Sequence, residues 1–237
     1  HGNYPGCHIS DYDAAKGYQI AFPMEKEADG IGSTSGAFIL PGSTPWRTIT
    51  VGSDLKPLVE TTIPYDVVEP RYEASQKYGV GKYAWSWLIW QDGSCNYNDQ
   101  KQFIDLAATM GYEYVLVDAL WDTQIGRDKI AELSKYAQSK NVSLMLWYNS
   151  NGFENDAPQT PRQIMNNSIA RKKEMAWMKK IGVVGIKVDF FGGDKQETMK
   201  LYEDILSDAN DYGIQVIFHG CTLPRGWERM YPNYVSS

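Results

Sequence analysis

From Gly79 onward, short apolar runs alternate with amphipathic helical stretches, and this alternation constrains the fold more than any other feature. The runs are Tyr83–Leu88, Tyr114–Val117, Ser143–Tyr148, Val183–Asp189 and Ile214–His219. Between them the spacing predicts helices over Asp99–Met110, Arg127–Lys140, Pro161–Ile181 and Gln196–Tyr212. Phe103, Ile104 and Ala107 share one face, as do Ile130, Leu133 and Ala137, and Tyr202, Ile205, Leu206 and Ala209. Pro161 suits a first helical turn. Gly111, Asn141, Gly182 and Gly213 follow the helices, where a left-handed residue stops a helix. Strands separated by crossover helices pair in parallel, and nearly continuous apolar strands have both faces covered. An α/β chain results, either an open doubly wound sheet or a barrel. No Gly-x-Gly-x-x-Gly follows the first run and no phosphate-loop motif occurs, which removes the main support for a nucleotide-binding sheet. Polar and aromatic residues gather instead at the C-terminal ends of the runs, as in barrel enzymes.

Five βα units fall short of the eight that close a (β/α)₈ barrel. The expectation is therefore a partial (β/α)8 TIM barrel over residues 76–237, in a chain that is a segment of something longer. Residues 1–75 differ. They are rich in Gly, Pro, Ser and Thr, with β-type runs at Tyr18–Phe22, Ala37–Leu40, Trp46–Val51 and Leu58–Thr62. Turn signals at Asp29-Gly30, Pro41-Gly42 and Gly52-Ser53 separate them, as expected for a few strands of a β domain and a linker. The chain begins at His1 with neither a charged n-region nor an apolar h-region, so no signal peptide is expected within these residues. No run of ~18 apolar residues is present to span a membrane. With 23 Lys+Arg against 29 Asp+Glu, the net charge of −6 and the lack of a basic block argue against a nucleic acid partner. Cys7, Cys95 and Cys221 make neither a disulfide framework nor a metal-ligand spacing, and read as free structural thiols. The 8 Trp, 16 Tyr and 7 Phe fit either a large core or a site with flat apolar platforms that suit sugar faces.

Lys187 and Asp189 carry the most chemical information. They are two residues apart on one strand, so they share a face. They end a run of Val183, Val184, Gly185 and Ile186, where a charged pair is costly unless paired or functional. A neighbouring Lys keeps a carboxylate ionised, as a glycosidase nucleophile must be. The alternative is an ion pair that locks the strand. His219 ends the fifth run, either to bind a substrate hydroxyl and tune a carboxylate or to cap the next loop. Asp118 ends the second run and either binds a sugar hydroxyl or starts a loop. Trp85, Trp87, Trp121, Trp147 and Asn149 fall at the same rim, and at least one of Trp87, Trp121 and Trp147 is expected to face ligand. Only three histidines occur, with no His-x-His on the first strand, which argues against a metal-dependent amidohydrolase-type barrel. Gly192-Gly193-Asp194 reads as a turn into a helix rather than a phosphate loop.

Lys82–Leu88, Gly111–Asp118, Gly185–Phe191 and Phe218-His219-Gly220, in that order, resemble glycoside hydrolase family 97. Asn3–Gly6 and Thr44–Arg47 resemble the end of that family's N-terminal β-sandwich, which would make residues 1–75 sandwich and linker. The resemblance implies a retaining branch linked to α-galactosidases. Retaining members place an Asp nucleophile where Asp189 stands, whereas inverting members carry a Glu where Gly220 stands. Lys187, His219, Trp87, Asp118, Trp121, Trp147 and Asn149 would then bind an oligosaccharide with a non-reducing-end α-linked sugar. The acid/base would be a glutamate beyond the chain end, about 5–5.5 Å from the nucleophile. Glu228, beside Trp227 in a loop or short helix, is a poor substitute. The resemblance also implies calcium in the complete enzyme, held partly by residues outside this chain, and a periplasmic or secreted location. An α-glucosidase of the same family and a non-catalytic carbohydrate-binding barrel are the alternatives.

Overall fold

Each of the four long helices ends in the same way, and that ending feeds the next strand. The computed structural model describes residues 8–9, 11–21, 39–44, 46–150, 155, 157–192, 195–222 and 225–237. Cys7, the stretch 3–6, the turn at 29–30, Phe22, residues 37–38, Pro45, Gly193 and Asp194 lie outside the described residues.

Two short strands, β1 (His8–Ile9) and β2 (Ile20–Ala21), pair antiparallel. Two short helices follow, α1 (Lys56–Glu60) and α2 (Ile63–Asp66). Then come β3 (Tyr83–Trp85), α3 (Trp87–Trp90), α4 (Tyr97–Met110), β4 (Tyr114–Val117), α5 (Trp121–Gln124), α6 (Arg127–Gln138) and β5 (Ser143–Asn149). The last elements are α7 (Ser168–Ile181), β6 (Gly185–Asp189), α8 (Gln196–Tyr212), β7 (Gln215–Phe218), α9 (Trp227–Met230) and β8 (Tyr234–Ser236).

β3 to β8 form one parallel sheet in the order β3-β4-β5-β6-β7-β8. Strictly sequential order means that every crossover steps the same way. A doubly wound sheet reverses at a switch point, and this one does not. The winding is that of a (β/α) barrel, and six strands of one are present among the described residues.

The helix endings explain the regularity. Gly111, Gly182 and Gly213 have positive φ, as does Asn141 at +59°. In each case the next residue donates its N–H to a carbonyl five positions back: Tyr112 to Ala107, Val142 to Ala137, Val183 to Met178, and Ile214 to Ala209. This left-handed cap satisfies the last turn and aims the chain into the sheet. At the start of α4 and α7 the side chains of Asn96 and Asn167 accept from backbone N–H groups of the first turn.

Strand alternation sorts the side chains into two layers. Val115, Val117, Leu144, Leu146, Ile186, Val188, Val216 and Phe218 face the helices and join the main core. Leu116, Met145 and Ile217 face the other way and form a second cluster with Trp85, Tyr114 and Val235. The same inward parity continues to Asp118, Trp147, Asn149, Lys187, Asp189 and His219.

Several expectations need correction. A sixth strand, β8, pairs with β7, so the barrel count is six rather than five. Tyr83–Leu88 is strand only to Trp85, and Trp87 opens a helix. Leu58–Thr62 is not a strand. Lys56–Glu60 is helical, with Pro57 in its first turn and a Lys56–Glu60 ion pair one turn apart. Trp46–Val51 has no strand partner among the described residues, and Ile49 and Val51 are exposed. Strand preference expresses packing against neighbours, and the described residues supply none. The helix expected from Pro161 begins only at Ser168, because Asn167 takes the cap and Gln163 has positive φ.

Candidate active site

Asp189 is the last residue of β6, at the C-terminal rim, and is 4% exposed. Its two oxygens are held differently. Oδ2 accepts from Trp147 Nε1 at 3.1 Å, lies 3.0 Å from His219 Nδ1, and sits 3.6 Å from Lys187 Nζ. Oδ1 accepts the backbone N–H of Phe190 at 2.7 Å. The register accounts for this convergence. Trp147 lies opposite Lys187 and Asn149 opposite Asp189 on β5, while His219 directly follows β7.

Burial pushes the Asp189 carboxyl upward. His219, Lys187 and Trp147 outweigh that effect, and the group is held below its ordinary value. It is therefore an ionised, immobilised carboxylate at neutral pH, as a nucleophile requires.

Lys187 is 3% exposed and stands between two carboxylates. Its Nζ is 2.9 Å from Asp118 Oδ2, and 4.1 Å from the Trp85 ring centroid. Asp118 Oδ1 accepts the N–H of Ala119. Both oxygens of Asp118 are thus committed to the scaffold, and the carbonyl of Asp118 accepts from the Cys95 thiol. Burial pushes that thiol's pKa up, in keeping with an inert structural role. Cys95 and Cys221 are both free and buried.

Gly220 allows the close approach. A Cβ there would stand 2.7 Å from Asp189 Oδ1, and φ is +50°. No longer side chain fits beside this carboxylate without displacing it.

Of the anticipated rim residues, the structure brings Lys187, Asp118, Trp147 and His219 together around Asp189. His219 keeps its side chain 47% exposed, so it spans the carboxylate and the open side. Trp87 stacks on Trp85 with centroids 5.5 Å apart and donates to Asp92 from Nε1. Trp121 is misplaced by the sequence reading. It is fully buried on the helix side, stacked on Trp177, with its Nε1 donating to the Trp147 carbonyl. It props β5 from behind and presents no face to a ligand. Asn149 is also buried, and its amide bonds Asn155 and the carbonyls of Ala157 and Gln159. It ties the end of β5 to Asn155, Ala157 and Gln159.

Sequence reasoning missed Ser150, Asn155 and the Phe190 N–H. Backbone donors have no sequence signature, and the two side chains act on backbone atoms. Trp85 carries more of the site than its place as one rim aromatic suggested, since it touches Lys187 and lies edge-on to His219. Among the described residues, no three His, Cys, Asp or Glu converge to hold a metal ion. They do not by themselves make up the calcium site that the resemblance implies. Among the same residues, no helix is long and apolar enough to cross a membrane.

A sequential parallel sheet with a charged cluster at its C-terminal rim is the arrangement of a (β/α)-barrel enzyme. A family profile described as Glycoside hydrolase 97 matches residues 80–237, and one described as Glycosyl-hydrolase 97 N-terminal matches residues 1–70. The chain belongs to glycoside hydrolase family 97. A probable retaining alpha-galactosidase of Streptomyces bingchenggensis is 28% identical over 82% of this chain and 31% of its own length. A retaining alpha-galactosidase of Bacteroides thetaiotaomicron is 30% identical over 83% of this chain and 30% of its own. The chain thus spans about a third of the length of these curated relatives. A crystal structure of a beta-arabinopyranosidase is 57% identical and superposes with a TM-score of 0.89, covering 99% of this chain and 38% of that one. A family 97 enzyme from Pseudoalteromonas sp. strain K8, in complex with acarbose, shares the fold at 20% identity and a TM-score of 0.69, covering 98% of this chain and 39% of that one.

Proposed function

We propose that the protein hydrolyses α-galactopyranoside-configured glycosides with retention, and that Asp189 is the nucleophile. A carboxylate oxygen of Asp189 attacks the anomeric carbon. The bond to the leaving oxygen breaks, and that oxygen takes a proton from an acid. Water then displaces the Asp189 ester and returns a proton to the same group, now acting as a base. We assign that acid/base role to a glutamate outside residues 1–237, on the strength of the resemblance. Lys187, His219 and the aromatic pair Trp85–Trp87 would bind the sugar. The 1–75 segment is proposed as sandwich and linker, and export of the complete protein is proposed on the resemblance alone.

The observation that carries this reading is the Asp189 carboxylate, depressed and held on both oxygens at the rim. Two sugars fit one ring configuration. β-L-Arabinopyranose is α-D-galactopyranose without the exocyclic hydroxymethyl. The relative at 57% identity favours the pentoside, and the two curated relatives favour the hexoside. We propose that both enter, with the arabinopyranoside preferred.

The test is Asp189→Ala in the natural protein. Hydrolysis of aryl α-galactoside and aryl β-L-arabinopyranoside should fall about 10⁴-fold or more. Azide should restore turnover and yield the glycosyl azide of inverted anomeric configuration. Undiminished turnover in the variant would refute the assignment.

A further inference from the structure

We infer that Ser150, assisted by Asn155, is a positioning residue for the nucleophile: it clamps residue 190 in a left-handed conformation and so keeps the Asp189–Phe190 peptide from flipping its N–H off Asp189. The inference rests on the reading of Asp189 as the nucleophile.

β5 and β6 leave the sheet side by side, with Asn149 opposite Asp189. One residue further, Ser150 bonds β6 twice. Its backbone N–H donates to the Asp189 carbonyl at 2.8 Å, and its Oγ donates to the Phe190 carbonyl at 2.8 Å. Asn155 Nδ2 donates to the same carbonyl at 3.0 Å. From the β7 side, the Gly220 carbonyl accepts the Phe191 N–H at 3.1 Å. Ser150 is fully buried, and the Phe190 carbonyl that it holds is only partly so.

The residue so gripped is in an unfavourable state. Phe190 has φ +63°, a region that bulky L-residues avoid. Such a conformation persists only when its surroundings over-determine it. Two donors on one carbonyl and the edge-on contact of its ring with Trp147 supply that constraint. The consequence falls on the neighbour. In this conformation the Phe190 N–H reaches back to Asp189 Oδ1 at 2.7 Å. Without the clamp, residue 190 reaches negative φ by a flip of the Asp189–Phe190 peptide, in which ψ of Asp189 and φ of Phe190 change together, and the flip carries the N–H off Oδ1. The carboxylate is then held through Oδ2 alone and can rotate away from the attack geometry.

The experiment is a double-mutant cycle of Ser150→Ala and Phe190→Gly in the natural protein, with pH profiles on whichever aryl glycoside the wild type cleaves faster. Ser150→Ala should lower kcat by about 10- to 100-fold, as expected when a reacting group is misplaced. KM should change by less than about twofold, because ground-state contacts are kept. The acidic limb of kcat/KM should move upward, since a lost N–H bond destabilises the carboxylate. In the Phe190→Gly background the same change should cost several-fold less, because glycine adopts positive φ unaided. An equal penalty in both backgrounds, or an acidic limb that stays in place, overturns the inference. Should Ser150→Ala fail to fold, Ser150→Cys, near in size and a weaker donor, carries the same readouts. The two levels separate cleanly. An active Asp189→Ala variant removes the nucleophile reading whatever Ser150 does. A dead, azide-rescued Asp189→Ala variant with a flat cycle removes only the clamp.

Discussion

Three side-chain donors and one backbone donor surround a single carboxylate, and the three side chains lower its pKa. The fold depresses the Asp189 pKa, so the ionised form is favoured in the native state. That stabilisation is present above the ordinary carboxylate pKa and is lost as the pH falls through the lowered folded value. Trp147→Phe keeps the ring that packs on Phe190 but removes the N–H that reaches Oδ2. A hydrogen bond to a charged group is worth enough to move the acidic limb of kcat/KM up by about one pH unit. The measurement is a pH–rate profile of the variant beside the wild type, and an unmoved limb would mean that the indole N–H does not tune the nucleophile. Lys187, Asp189 and His219 were legible because charges ending an apolar strand demand a reason. Trp121 misled because the position that faces the rim in one strand exit faces the helices in another. Leu120, just before it, has φ +70° and redirects the chain.

At the scale of elements, the caps explain why the helices were readable. A Gly or Asn at the end of each apolar stripe marks the stop, and the observed α8 coincides with its expected span. Starts were less legible. Asn167, rather than Pro161, opens α7 by accepting from the N–H groups of Ile169 and Ala170. Its replacement, Asn167→Ala, should destabilise the protein by about 1 kcal/mol, the usual worth of such a cap. A urea titration of the variant should show a lower midpoint with an unchanged slope, and an unchanged midpoint would deny the cap its role. α7 also carries Arg171, paired with Asp208 of α8, and Glu174, which accepts from Tyr148 and Arg127. The Glu174–Tyr148 contact braces β5 on its helix side, and the ion pairs tie α7 to its neighbouring helices. Loss of the cap should therefore be felt in stability before it is felt at the rim.

Across the whole molecule, sheet order decides between the two architectures that periodicity alone left open. Six strands in chain order, all parallel, wind as a barrel and set Asp118, Lys187, Asp189 and His219 on one inner rim. The sixth strand escaped the sequence reading because Tyr234–Ser236 is short and lacks an apolar run. The N-terminal runs fared unevenly: Tyr18–Phe22 contributes β2, paired with β1, whereas Trp46–Val51 meets no strand partner among the described residues and α1 forms where Leu58–Thr62 was expected as strand. The catalytic claim draws on this whole arrangement, because β5, β6 and β7 each supply a part of the Asp189 environment. It is tested most directly by trapping. The natural protein should be incubated with a slow 5-fluoro-galactosyl fluoride or its arabinopyranosyl counterpart, digested, and mapped by mass spectrometry. A single glycosyl ester on the peptide that contains Asp189 is the predicted result, whereas an ester on another carboxylate, or turnover with inversion and no adduct, would contradict it.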